Sequence, residues 1–192
     1  MGFKGPTALF VAWAIHDVEE ALAFPATCDA LADETSVERL RLDQRQSWLA
    51  VGLMGTIVLF ACHRGARTKG RSRLYRAVSA GLEAHVATHL LASLVQRRYT
   101  AGVATALPVM WPGAALARRD IERAGPPLGY RDYIAGAAIL IPAALACQVL
   151  ARLIPRRGGS PRRGRSPRPV ELRGGTASKW RSPGSSRGES GC

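Results

Sequence analysis

The sequence predicts an all-α protein: a polytopic transmembrane helix bundle of about five hydrophobic helices, followed by a disordered C-terminal tail. Three observations carry that expectation. Five apolar runs, at residues 6–24, 47–62, 74–95, 99–117 and 133–154, punctuate a chain of 192 residues. Each approaches the roughly 20 residues that a helix needs to cross a bilayer at about 1.5 Å per residue. The second and fifth runs, SWLAVGLMGTIVLFAC and YIAGAAILIPAALACQVLARLI, have no polar face of the kind a soluble surface helix requires. The net charge of +13 is also unevenly placed: residues 156–192 carry nine Arg and one Lys against only Glu171 and Glu189. Without that tail the chain is far more apolar than its mean hydropathy of -0.02 suggests. The organisation expected is a helical membrane domain over residues 1–155 and a separate tail over 156–192.

The first run, PTALFVAWAIHDVEEALAF, is long enough to span but contains Asp17, Glu19 and Glu20 beside His16. Those three carboxylates also argue against a cleaved signal peptide ending near Ala23. Residues 25–46 follow, with five acids and three Arg. Here Thr35 and Glu38 have capping-box spacing, which predicts a helix starting at Thr35 and running unbroken into the second span. The linker HRGARTKGRSR has five basic residues and no acid. By the positive-inside rule it is cytoplasmic, which puts the N-terminus inside and the first loop outside. The third run carries Glu83, His85 and His89, and the fourth carries Pro108 and Pro112.

Five crossings from an inside N-terminus leave the basic tail outside, whereas its charge favours the inside. The fourth run, with its two prolines, is the candidate for a partial or re-entrant span. Pro142 in the fifth run is expected to kink a helix that still spans. In the tail, Arg, Gly, Ser and Pro make up 28 of 37 residues, too little apolar surface to fold. Its charge offers contact with anionic lipid headgroups and no specific nucleic-acid readout. Cys28, Cys62, Cys147 and Cys192 have no CxxC spacing and read as packing residues.

The charges of the first run carry the functional signal. A carboxylate at the bilayer centre costs roughly 2.5–3.5 kcal/mol on insertion scales, so three cost about 7–10 kcal/mol, and the apolar side chains of the run return only about 4 kcal/mol. This helix therefore needs a partner inside the bundle: a metal, an opposite charge or a water-filled cavity. His16, Glu19 and Glu20 stand at i, i+3 and i+4 and share one face, while Asp17 is turned about 100° away. His85 and His89, at i and i+4, share a face of the third span, and Glu83 points elsewhere.

If the two faces meet, neutral imidazoles and carboxylates converge in a donor set that suits Zn, Fe or Mn. His16, Glu20, His85 and His89 are the candidate metal ligands, and Glu19 or Glu20 the candidate general base. His63, beside Arg64 at the end of the second span, reads as interfacial. Two alternatives use the same side chains: a proton or cation path through a metal-free network, and a bis-His haem.

HDVEE in an apolar first span, followed by Pro25 and a later His pair, resembles the HXXEE domain family, small multi-pass membrane proteins of bacteria. The resemblance covers residues 6–154 and excludes the tail. It implies an integral membrane protein whose charged residues form a catalytic or metal-binding centre, and by it His16, Glu19 and Glu20 carry over. It supplies no substrate and no reaction. The function expected is a metal-dependent membrane enzyme, a hydrolase or an oxidase/hydroxylase, in the bacterial cytoplasmic membrane with membrane lipid as its surroundings. A proton- or cation-conducting transporter is the alternative.

Overall fold

The computed structural model describes residues 4–155; the tail, with its expected disorder and lipid contact, and Cys192 lie outside the described residues. The described chain is helical, with no strand. Its helices are α1 (Gly5–Thr35), α2 (Gln44–Arg67), α3 (Arg73–Gln96), the single turn α4 (Val103–Thr105), α5 (Trp111–Ala124) and α6 (Tyr130–Arg152). Three of them, α2, α3 and α6, are long and apolar enough to cross a membrane. Five such helices are not found. The helix α1 carries too many carboxylates to qualify on composition, and the fourth expected run is helical only from Val103, passing through a π segment into the charged residues of α5.

The helix α1 carries Pro6 in its first turn, where the missing N–H costs nothing. No local side chain caps it. Asp120 of α5 does so instead, with Oδ2 accepting from the amides of Lys4 (2.9 Å) and Gly5 (2.7 Å). The helix continues through Pro25 and stops at Ser36 in the left-handed region, φ 58°.

The expected capping box at Thr35 and Glu38 is not formed. The Thr35 hydroxyl donates back to the Leu31 carbonyl at 2.7 Å, so it closes α1 rather than opening a new helix. Glu38 lies in a short 3-10 turn, Glu38–Leu40. There Arg41 reaches Glu38 (2.7 Å) and Asp33 (2.6 Å), and these bonds raise its guanidinium still further above its ordinary pKa. The helix α2 begins eight residues beyond Ser36, where Asp43 accepts from the Gln46 amide and Gln46 returns a bond to the Asp43 amide.

The fourth run is broken by its own residues. Gly102 turns the chain at φ 86°, α4 adds one turn, and Ala106–Met110 winds as a π-helix containing Pro108. Proline lacks the N–H that an α-helix needs there, and the wider turn absorbs the defect. The helix α5 then starts with Pro112 in its first turn. The helical residues nevertheless follow one another without a gap from Val103 to Ala124, and a partial span, which the two prolines suggested, is compatible with this geometry.

Packing places α3 against α6, α1 against α5 and α2, and α2 against α6. The core is built from Leu9, Trp13, Val58, Val78, Met110 and Ile121, whereas Phe60, Leu94, Ile141 and Leu145 are more than half exposed. An apolar outer surface of this kind is what a helix turned to lipid presents. Cys28, Cys62 and Cys147 are buried and unbridged, as packing residues should be.

The α3–α6 contact depends on two glycines. A Cβ on Gly136 would lie 2.3 Å from the Ala77 carbonyl oxygen and 2.9 Å from the Gly81 Cα, both backbone atoms that cannot swing away. Small residues are the usual way for membrane helices to approach this closely. Gly136→Ala is expected to destabilise the folded protein by about 1–3 kcal/mol, read as a lower unfolding midpoint in detergent. Gly52→Ala, where an added Cβ meets nothing within 4 Å, is the matched control.

Candidate metal centre

The facing sides of α1 and α3 bring four side chains to one point. His16 and Glu20 stand one turn apart on α1, His85 and His89 one turn apart on α3, and one ligand atom from each lies within 4.8 Å of all the others. His89 Nε2 is the hub: 2.8 Å from His85 Nε2, 3.2 Å from His16 Nε2 and 3.1 Å from Glu20 Oε1. Glu20 Oε1 and His85 Nε2 are wider apart, at 3.9 Å. The three rings meet nearly perpendicular, at interplanar angles of 76° to 89°, so their edges converge instead of their faces. His16 is fully buried and His89 is 8% exposed.

Hydrogen bonds behind the rings assign the tautomers. Thr105 Oγ1 donates to Glu19 Oε2 at 2.5 Å, which uses its only proton. The 2.9 Å contact with His16 must then be a bond donated by His16 Nδ1–H to the hydroxyl. Thr88 repeats the logic on α3. Its hydroxyl donates to the His85 carbonyl at 2.7 Å, so His85 Nδ1–H donates to Thr88 Oγ1 at 3.3 Å. As neutral rings, His16 and His85 therefore both turn an unprotonated Nε2 toward the centre.

That leaves too few protons. His89 Nε2 carries at most one, and it faces two imidazole lone pairs and the Glu20 carboxylate. If its proton is on Nδ1, four acceptors converge with none. Among the described residues no Lys or Arg pairs with Glu20. Converging lone pairs at about 3 Å repel, and a cation reverses the sign of the interaction. Tetrahedral ligands at about 2.0–2.1 Å from an ion stand ~3.3 Å apart, close to the separations here. Three imidazole nitrogens and one carboxylate oxygen fit Zn, Fe or Mn.

Glu19 is placed beside this group, not in it. Both of its oxygens are committed: Oε1 accepts from Tyr99 OH (2.5 Å) and the Ala104 amide (3.1 Å), Oε2 from the Thr105 amide (2.8 Å) and hydroxyl. It caps the turn that opens α4 and, through Thr105, fixes the His16 ring. Asp17 is 5% exposed. Glu83 is a separate contact, as its helical position suggested, holding Arg118 (2.9 Å) and Tyr133 (2.8 Å) and so tying α3 to α5 and α6. His63 is exposed at the end of α2.

Three contributors went unread in the sequence: Thr88, Thr105 and Gly102. A hydroxyl in an apolar run gives no signal until the imidazole it faces is known. Outer hydrogen bonds of this kind typically change metal affinity 10–100-fold. Thr105→Val is expected to weaken metal binding by about that factor with the fold retained, measured by competition with a chromogenic chelator.

No curated protein and no solved structure matches the chain. A family model described as a protein of unknown function with HXXEE motif matches residues 7–117, from the start of α1 into α5. The match takes in all four converging side chains, the loop that holds Glu19 and more than half of the sequence, and in the motif itself His16, Glu19 and Glu20 are the named positions. The chain belongs to the HXXEE family.

Proposed function

We propose that this protein is an integral membrane metalloenzyme whose single divalent ion is held by His16, Glu20, His85 and His89. The observation that carries the reading is the convergence of three imidazole nitrogens and a carboxylate oxygen within 4.8 Å of one another. With neutral rings held in these tautomers by Thr88 and Thr105, the short contacts have fewer donors than acceptors, and a bound cation or an added proton completes them.

When bound, the ion supplies a Lewis acid or redox centre that activates water or dioxygen. The protein's part is to fix the geometry. Glu19 is a positioning residue in this account, acting on His16 through Thr105, and Glu20 is the carboxylate that touches the ion. The helices α2, α3 and α6 cross the bilayer, and α1 sits among them with its polar face turned toward α3. The basic linker at residues 63–73 lies on the cytoplasmic side of a bacterial inner membrane.

Plasma mass spectrometry on protein purified in detergent without chelators tests the reading. Near one equivalent of Zn, Fe or Mn per chain is the expected result. Well-folded protein with no bound transition metal would overturn it, and the same side chains would then be a proton or cation path.

A further inference from the structure

The metal centre is not enclosed on all sides. A cavity of about 360 Å³ lies beside it, between α1, α3 and α6 with Met54 of α2 at its wall. That volume is within the range of small-molecule sites. Its polar lining comes from Asp17, Glu20, His85, Thr88 and Tyr133. The remaining wall is apolar, formed among others by Trp13, Leu82, Leu140 and Leu145. The rim is apolar as well: Ile141 is 60% exposed and Leu145 62%. Both belong to α6, the most apolar of the three candidate spans, so the cavity opens toward the hydrocarbon.

Asp17 adds an independent observation. It is 95% removed from solvent exposure, lines the cavity, and has no hydrogen-bond or ion-pair partner among the described residues. A buried polar group without a partner is expensive, so one facing a cavity points to a ligand that completes it. No Lys or Arg lines the space. At Asp17 an anionic head would therefore find no basic side chain to offset the carboxylate, whereas a hydroxyl would donate to Asp17.

From this geometry we infer that the cavity is the substrate site, and that it takes a single long alkyl chain ending in a hydrogen-bond-donating, uncharged head such as a hydroxyl. The chain enters from the bilayer past Ile141 and Leu145. Its head bonds to Asp17 and lies against the Glu20–His85 edge of the centre. This deepens the proposed metalloenzyme reading and rests on it for the chemistry at the head, though the site for the chain stands on the cavity alone.

Photolabelling of the purified full-length protein with hexadecanol carrying a terminal diazirine tests the inference, with bound metal measured in the same samples. Label is expected on the cavity wall of α3 and α6, displaced by unlabelled hexadecanol. Ala84→Trp or Ala137→Trp, which fill the cavity from opposite walls, should abolish it while bound metal is unchanged, showing that the fold survives. Asp17→Ala should weaken labelling about tenfold or more, the cost of a lost bond to a carboxylate. The diazirine analogue of palmitate should label far less.

Label scattered over Leu59, Phe60 and Leu94 without competition would overturn the proposal, as would equal labelling by alcohol and palmitate or labelling unchanged in both Trp variants. Competed labelling of the wall in protein without metal would sustain the chain site and sink the metal reading, so the two failures are distinct.

Discussion

Replacing His89 by Ala is expected to abolish metal binding while leaving the bundle folded. His89 contacts all three of the other candidate ligands, so its loss removes one donor and the spacer between two helices at once. Affinity should fall by more than about 100-fold, beyond the range that outer hydrogen bonds command. The stability cost should be modest by comparison. His89 is small for a core group, and its removal also relieves the crowding of Nε2 atoms. The measurement is metal content beside an unfolding midpoint on the same preparation. A variant that keeps its ion would show that the ion sits elsewhere. A variant that loses midpoint, with no metal in either protein, would show that the cluster only holds helices together.

Gly102→Ala is expected to damage the centre from outside it. Gly102 sits at φ 86°, where a side chain is strained, and a Cβ there would lie 2.6 Å from His89 Cε1 and 2.9 Å from His16 Cε1. The loop thus lies flat on two imidazole rings, one from each helix. Two costs add: about 1 kcal/mol or more of backbone strain, and a push that moves both rings off a shared ion. A loss of metal affinity of at least about tenfold is expected, with a small drop in unfolding midpoint. Gly125→Ala is the control: its φ of 177° suits any residue and an added Cβ meets nothing within 4 Å. Equal behaviour of the two variants would show that the Gly102 loop does not support the rings.

The sequence was most informative where helical spacing does the work. His16 and Glu20, and His85 and His89, are each one turn apart, and a helix leaves them no choice but to share a face. The insertion cost required some partner for the acids, an ion, an opposite charge or a water-filled cavity, and the structure shows that the two faces meet. Glu83 was readable for the same reason, since its angle on α3 excludes it from the His85–His89 face.

What the sequence hid depends on the tertiary path. Glu19 shares the His16 face by spacing. It leaves the group because a loop eighty or more residues away brings Tyr99, Ala104 and Thr105 to its oxygens. The Thr35–Glu38 pair has the right spacing for a cap, but α1 already extends to Thr35 and takes its hydroxyl. Asp43 and Gln46, which form the actual box, lie within the same polar stretch and carry an equally good signal. The fourth run reads as one apolar segment, and only backbone geometry shows that Gly102 delays its helix to Val103 and that the winding around Pro108 is π.

X-ray absorption at the metal edge of protein purified with its ion tests the central claim most directly. The account predicts a first shell of light atoms at about 2.0–2.2 Å with the multiple scattering of three imidazoles, falling to two in His16→Ala. A sulfur shell, or a light-atom shell with no imidazole scattering, would contradict it and remove the ion from the HXXEE helix.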